Sequence, residues 1–455
     1  MTDVVALLRE ALGERVDTSD PAVDAARADK SGQRAAGRPL AVVHAASVAD
    51  VQTTMRIATA TGTPVVTRGA GTGLAGGANT GAGEIALSVR GMDRVLEVRP
   101  DDLLAVVEPG ILNADLGRAL APYGLWWAPD PASREISTVG GNIATGAGGL
   151  LCAKYGVVRD AVLALDVVLA DGRLISTGHR SVKGVTGYDL TALMIGSEGT
   201  LGVVVGATLK LRRLVPGETR TLTARFPDVR AAAAGAAAVT AAGIQPSIME
   251  LMDAVSLTAA HALLGLAPPT PGATQLTVQT DGAAAAHEQT EIADILAASG
   301  GAVRLAADDA EAAQLWAVRR AMHPAMETLG TALIEDVSVP RSALPAMFDE
   351  IARIEAAYGL TIPTVCHAGD GNLHPNFIFE GDEVPAEVWR AADDLFRAAI
   401  ALGGTLTGEH GIGVLKSRWL ADELGEDQWS LQRGIKSVFD PAGILNPGKV
   451  FSPQP

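Results

Sequence analysis

Four glycine-rich segments constrain the fold of this chain more than any other feature. The first, "RGAGTGLAGGANT" at residues 68–80, directly follows the apolar run 64–67. Its glycines at 69, 71, 73, 76 and 77 leave consecutive backbone N–H groups with no Cβ in the way, a concave surface suited to phosphate oxygens. The second is "DPASREISTVGGNIATGAGGLLCAKYG" at 130–156 and the third "GVTGYDLTALMIGSEGTLGVVV" at 184–205. A short fourth, "LNPGKVF", stands at 445–451. No segment ends in the Gly-Lys-Ser/Thr of a P-loop, and no ribose-binding acid follows the first at Rossmann spacing, so each loop alone is also consistent with a flexible turn. Several along one chain imply a long dinucleotide laid across backbone.

The elements between the loops are those of an α+β protein. The runs 40–43, 64–66 and 105–107 read as strands and 48–61 as a helix, giving a first domain over 35–214. Residues 1–34 read as one amphipathic helix and a polar linker. Punctuation at Val215-Pro216-Gly217 marks a boundary. Beyond it come an alanine helix near 228–244, a strand at 274–280 and a helix at 283–299, so 215–455 forms a second domain. At 455 residues, two or three cores are required.

Composition narrows the partners. With 52 acidic against 36 basic residues the net charge is −16, which repels phosphate backbones and excludes nucleic acid. An anionic substrate would need a local basic residue. Two cysteines, 152 and 366, allow one disulfide but make no secreted framework. No apolar stretch is long enough for a membrane span and the N-terminus does not look like a signal peptide, so the cytoplasm is the expected compartment. A homodimer stays open.

Chemistry concentrates in "HAGDGNLHPN" at 367–376 and "GGTLTGEHGIG" at 403–413. His367, His374 and Glu409 offer two imidazoles and a carboxylate, a three-ligand set that leaves positions open on a divalent ion. On the residues alone, histidines capping polar turns explain the pattern equally well. Cys366 precedes His367, but neighbours on a strand face opposite ways, so it is read as neither ligand nor nucleophile.

Taken in order, "PVVTRGAGTGLAGG", "STVGGNIATGAGG", "KYG", "GYDLTALMIGSEGTLGVV" and "NPGK" resemble the vanillyl-alcohol oxidase superfamily, with its two-part PCMH-type FAD-binding domain. "CHAGDGNLHP" and "GGTLTGEHGIG" resemble its D-lactate dehydrogenase, D-2-hydroxyglutarate dehydrogenase and glycolate oxidase flavin-subunit branch. The resemblance implies an α+β substrate domain after the FAD domain and a C-terminal helical segment returning to the flavin. It places the pyrophosphate on Arg68, Gly69, Ala70, Gly71, Thr72, Gly73, Gly76 and Gly77. Pro131, Ser137, Thr138, Gly141, Asn142, Thr145, Gly148 and Gly149 would line the flavin and ribityl chain. Gly196, Glu198, Gly199, Gly202 and Val203 would close over the adenosine, with Tyr155 and Asn446 completing the site. Positions that tether flavin covalently in some members hold Gly, Ala and Thr here, so the FAD is expected to be non-covalent.

The same resemblance makes His367, His374 and Glu409 the ligands of a divalent metal, zinc first with manganese or iron(II) as alternatives, and His410 the catalytic base. Arg319 falls on the substrate-carboxylate arginine and Asn376 on a substrate contact. The implied reaction is oxidation of a small D-2-hydroxy acid, such as D-lactate or glycolate, to the keto acid. Where the 2-hydroxyglutarate enzymes carry a lysine for a second carboxylate, this chain has Ile334, with Arg341 as the nearest compensation. A 2-hydroxyglutarate enzyme, a multi-subunit oxidase and a flavin-free metallohydrolase are the alternatives. The electron acceptor is open among oxygen, a quinone, a cytochrome and an electron-transfer flavoprotein.

Overall fold

A computed structural model describes residues 3–381 and 383–451. The chain forms two compact units. One gathers Met1–Gly149, Gly156–Leu214 and Glu409–Pro455; the other gathers Leu150–Tyr155 and Val215–Gly408. One division falls between Leu214 and Val215, next to Pro216 and Gly217. The segment 215–455 divides at Gly408, because the chain beyond packs with the first unit.

The first unit holds two sheets. Edge to edge, one runs Val16–Asp17, Ala41–His44, Ile85–Ser88 and Val65–Arg68, parallel except at its first strand. The other is antiparallel: Val95–Arg99, Leu104–Val107, Val203–Lys210, Val162–Val168 and Leu174–Gly178. The helix Val48–Thr61 forms where its sequence starts and stops it. The Ser47 side chain accepts from Asp50 N–H, and Gly62 takes the left-handed conformation (φ 65°) that ends it.

The N-terminal stretch departs from the expected linker. Val4–Leu12 is a helix with Leu8 fully buried beside Val43 and Met55, and Val16 pairs with Val43 as a strand. Its polar residues are accounted for by ion pairs instead: Arg15 meets Asp50, and Arg38 meets Asp20. Polarity alone does not separate a linker from an edge strand whose charges are paired.

The second unit is built on one antiparallel sheet. Its order is Ala302–Leu305, Glu218–Phe226, Thr274–Gly282, Ile248–Met252, Thr364–His367, Asn372–Phe379 and Thr331–Ile334, with Val337–Ser338 pairing beside Asn372. The alanine helix Val229–Ala241 starts at Asp228, whose side chain accepts from Ala231 N–H. Its apolar stripe, Ala232, Ala233, Ala236 and Val239, is buried.

Candidate active site

The glycine loops of the first unit meet one another at distances that only glycine allows. A Cβ on Gly69 would lie 2.3 Å from Thr138 Oγ1, and one on Gly149 would lie 2.3 Å from the Asp130 carbonyl oxygen. Asn446, at φ 45°, donates through Nδ2 to the carbonyls of Gly77 and Glu198, fastening the first, third and fourth segments together. Thr138 caps the helix Val139–Thr145 by accepting from Gly141 N–H.

These loops carry buried polar atoms that the described protein does not satisfy. Thr67 Oγ1, Asn79 Oδ1, Ser137 Oγ, Asn142 Nδ2 and Asn446 Oδ1 are shielded from solvent with no partner among the described residues. Buried polar atoms are nearly always hydrogen-bonded, so a cluster of exceptions on glycine-lined backbone fits a large polar ligand such as a flavin dinucleotide. Ser137 and Asn142, both expected at the flavin, are among them.

Several expected contacts have other work. The Arg68 guanidinium, expected at the pyrophosphate, donates to the carbonyls of Ala28 (2.7 Å) and Ala78 (3.0 Å), because the loop around it leaves those oxygens facing inward. It thereby shapes the loop, and a Cβ on Gly71 would strike it. A Cβ on Gly202 would strike the Val167 side chain, and the Val203 side chain is buried in the core, so these two positions have only backbone to offer a ligand. Tyr155 belongs to the second unit, where its hydroxyl donates to Asp281 Oδ2 (2.5 Å).

Glu198 is the largest surprise of the first unit. Expected over the adenosine, it turns back at φ 51° and accepts N–H groups from Ile412 (2.6 Å) and Gly413 (2.8 Å). Burial pushes its carboxyl up to about 7, partly offset by those two N–H groups and by Lys416. It therefore holds the loop that carries Glu409 and His410. Between those two, His410 Nε2 lies 3.9 Å from Glu409 Oε1.

In the second unit, register explains how two histidines seven positions apart come together. Thr364–His367 and Asn372–Phe379 form a hairpin in which Val365 faces His374 and His367 faces Asn372. Paired residues share a face and alternate residues repeat it, so His367 and His374 are diagonal neighbours on one side. Their ring centroids are 4.9 Å apart and the rings stand at 80°. Cys366 falls on the opposite face, fully buried, and burial pushes its thiol up. Neither cysteine forms a disulfide.

The chain is then pinned beside this hairpin. Thr405 and Ser338 exchange backbone hydrogen bonds, and a Cβ on Gly408 would strike Asn372. Glu409 is the next residue along. Ligand atoms of His367, His374 and Glu409 all lie within 4.8 Å of one another. Two imidazoles and one carboxylate at that spacing fit a divalent ion with positions left open.

Two buried carboxylates, neither foreseen from the sequence, lie beside the histidines, and one of them is hydrogen-bonded to the ring it faces. Glu250 sits opposite His367 on the neighbouring strand Ile248–Met252, and its Oε1 is 2.7 Å from His367 Nδ1. Asp336 lies 4.0 Å from His374 Nδ1 and accepts from Asn372 Nδ2 at 2.6 Å. The signal was present: "IMELM" places one acid inside an apolar strand, and "LIEDV" places two between apolar strand residues. Arg319 also turns toward Glu250, donating from Nε (2.8 Å) and Nη2 (2.7 Å) to Oε2. Burial would raise the Glu250 carboxyl, but His367 and Arg319 together hold it below the ordinary range. Asn376 gives both amide hydrogens to the carbonyls of Pro363 and His374, so what it can offer a substrate is the acceptor Oδ1.

Comparison with known proteins finds a family for each half of the chain. Residues 39–178 match the FAD binding domain family, and residues 215–450 match the FAD linked oxidases, C-terminal domain. The glycolate oxidase subunit GlcD of Bacillus subtilis (strain 168) is 39% identical over 421 residues, covering 91% of this chain and 89% of its own. The mitochondrial D-lactate dehydrogenase (cytochrome) of Arabidopsis thaliana is 35% identical over 402 residues, covering 86% and 70%. In fold, the chain is similar to 4-ethylphenol oxidase from Gulosibacter chungangensis, with a TM-score of 0.79 at 18% identity over 99% of this chain and 97% of that one.

Proposed function

The chain belongs to the FAD-linked oxidases, and we propose that it oxidises a small D-2-hydroxy acid, D-lactate or glycolate, to the 2-keto acid with help from a divalent ion. The observation that carries this reading is the hairpin that sets His367 and His374 on one face with Glu409 beside them. A flavin-free metallohydrolase would leave the unsatisfied atoms of the glycine loops unexplained.

Ser137, Asn142, Asn446 and the backbone of the glycine loops would hold FAD, without a covalent link, and His367, His374 and Glu409 would hold the ion. An ion held there would supply stabilisation of negative charge on the substrate hydroxyl, and FAD held by the glycine loops would supply the hydride acceptor. Arg319 directs its charge at the substrate carboxylate, with Nη1 the part of its fork not spent on Glu250. His410 removes the hydroxyl proton; imidazole is the side chain that exchanges a proton near neutral pH. Asn376 presents Oδ1 from the same face as His374.

Ile334 argues for a monocarboxylate. It stands opposite Asn376 across the strands, on the face of the histidines, and offers no cation to a second carboxylate. Steady-state rates with D-lactate, glycolate and D-2-hydroxyglutarate and a dye acceptor test this. D-lactate or glycolate should exceed D-2-hydroxyglutarate in kcat/KM by about ten-fold or more; the reverse order would overturn the assignment. The similarity to a protein named as a glycolate oxidase subunit favours a second reading of the assembly, in which partner chains carry electrons onward.

A further inference from the structure

Glu250 is a fully buried carboxylate in the middle of an apolar strand, and no step proposed above uses it. Its hydrogen bonds in the second unit go to two groups. Oε1 meets His367 Nδ1 at 2.7 Å, and Oε2 receives the Nε and Nη2 edge of Arg319 at 2.8 and 2.7 Å. The strand register makes this unavoidable. Glu250 is the direct cross-strand partner of His367, so both side chains rise from one face, and Arg319 comes to that face from the last turn of the helix Asp309–Arg320.

We propose that Glu250 is a positioning residue that ties the metal ligand His367 to the anion-binding Arg319, so that ion affinity and substrate affinity depend on one carboxylate. The inference rests on the function proposed above. An Nδ1 hydrogen donated to a carboxylate leaves the Nε2 lone pair of His367 facing outward, fixes the ring's orientation and makes the nitrogen a better donor to a metal. On its other side the carboxylate occupies one edge of the guanidinium. Arg319 can then swing neither away from the site nor onto the substrate through that edge. Nη1 is left to meet the substrate carboxylate, end-on, at a fixed place relative to the ion. A 2-hydroxy acid presents its carboxylate and its hydroxyl on adjacent carbons, and a rigid spacing between arginine and metal selects that arrangement.

The substitution Glu250→Gln keeps the shape, removes the charge and leaves one acceptor oxygen for two donors. Flavin-loaded protein is stripped with a chelator and titrated with Zn2+, and separately with Mn2+, against a chromophoric competitor. KM and kcat for D-lactate are then measured at saturating ion. Relative to the unsubstituted protein, we expect ion affinity to fall by about 10- to 100-fold, the range for losing such a supporting carboxylate. KM should rise more than kcat falls. A purely structural role would lower the thermal midpoint and leave both affinities of the folded protein in place.

Removing Glu250 alone strands the Arg319 charge in a buried place, which can prevent folding. The double variant Glu250→Gln, Arg319→Met leaves no lone charge and is compared with Arg319→Met. Ion affinity must still be weaker in the double variant. Equal ion affinity in that pair, or ion affinity and KM within two-fold of the unsubstituted protein in Glu250→Gln, overturns the inference alone. An unsubstituted protein that takes up neither ion overturns the metal-assisted reading, and this inference with it.

Discussion

His374 and His410 are both imidazoles near Glu409, yet the residues around them assign different tasks. His374 lies on the hairpin face with His367, backed by Asp336. His410 stands on the loop that Glu198 holds through Ile412 and Gly413, and it is not one of the three clustered ligands. His374→Ala is therefore expected to lose the ion, and added zinc should not restore it fully, because one of three protein ligands is gone. His410→Ala should retain the ion and slow flavin reduction by about 10²-fold, the usual worth of a general base. Metal content measured beside the anaerobic reduction rate checks both, and the opposite pattern would exchange their roles. The three candidate ligands were singled out by the family resemblance, since on the residues alone turn-capping histidines explain the pattern equally well; the hairpin register is what brings the two rings together. Their neighbours were not: Glu250 is one acid in an apolar strand whose register alone shows that it faces His367, and Asp336 lies in the short break between two strands, where no periodicity marks it.

At the scale of elements, the sequence is most explicit where local physics decides. Val48–Thr61 coincides with its expected helix, and Asp228 caps the alanine helix it precedes. The N-terminal strand and the partition at Gly408 depend on distant partners, and periodicity does not encode those. Glu198 shows the same limit, since a glutamate between glycines reads as a ligand contact until the returning loop is seen. Its environment has a pH signature. The carboxyl's ordinary value is 4.5, and burial raises it to about 7 in the folded chain, with Asp29 adding to the rise and Lys416 opposing it. Between those values the unfolded chain has released its proton while the folded chain still holds it. This contribution to stability is thus complete below about pH 4.5 and lost as pH rises through about 7. Glu198→Gln should flatten the fall in thermal midpoint across that window, whatever its effect on absolute stability. An unchanged slope would mean that Glu198 does not titrate there.

For the whole molecule, the net charge is −16, so on the proposed function capture of an anionic substrate would rest on the part-buried Arg319 and the ion and not on the surface field. Among the described residues, no helix is long and apolar enough to cross a membrane. The absence of His and Cys from 68–80 and 130–149 predicts that acid precipitation releases all yellow colour into the supernatant; colour kept in the pellet would show a covalent bond. The account as a whole stands on flavin and metal acting in one reaction. Purified protein should be yellow, and its visible flavin absorbance should bleach when D-lactate or glycolate is added without oxygen. After chelation the colour should remain while the bleaching stops, and Zn2+ or Mn2+ should bring it back. Bleaching that survives removal of every divalent ion would contradict the metal-assisted mechanism, and yellow protein that no D-2-hydroxy acid bleaches would contradict the function itself.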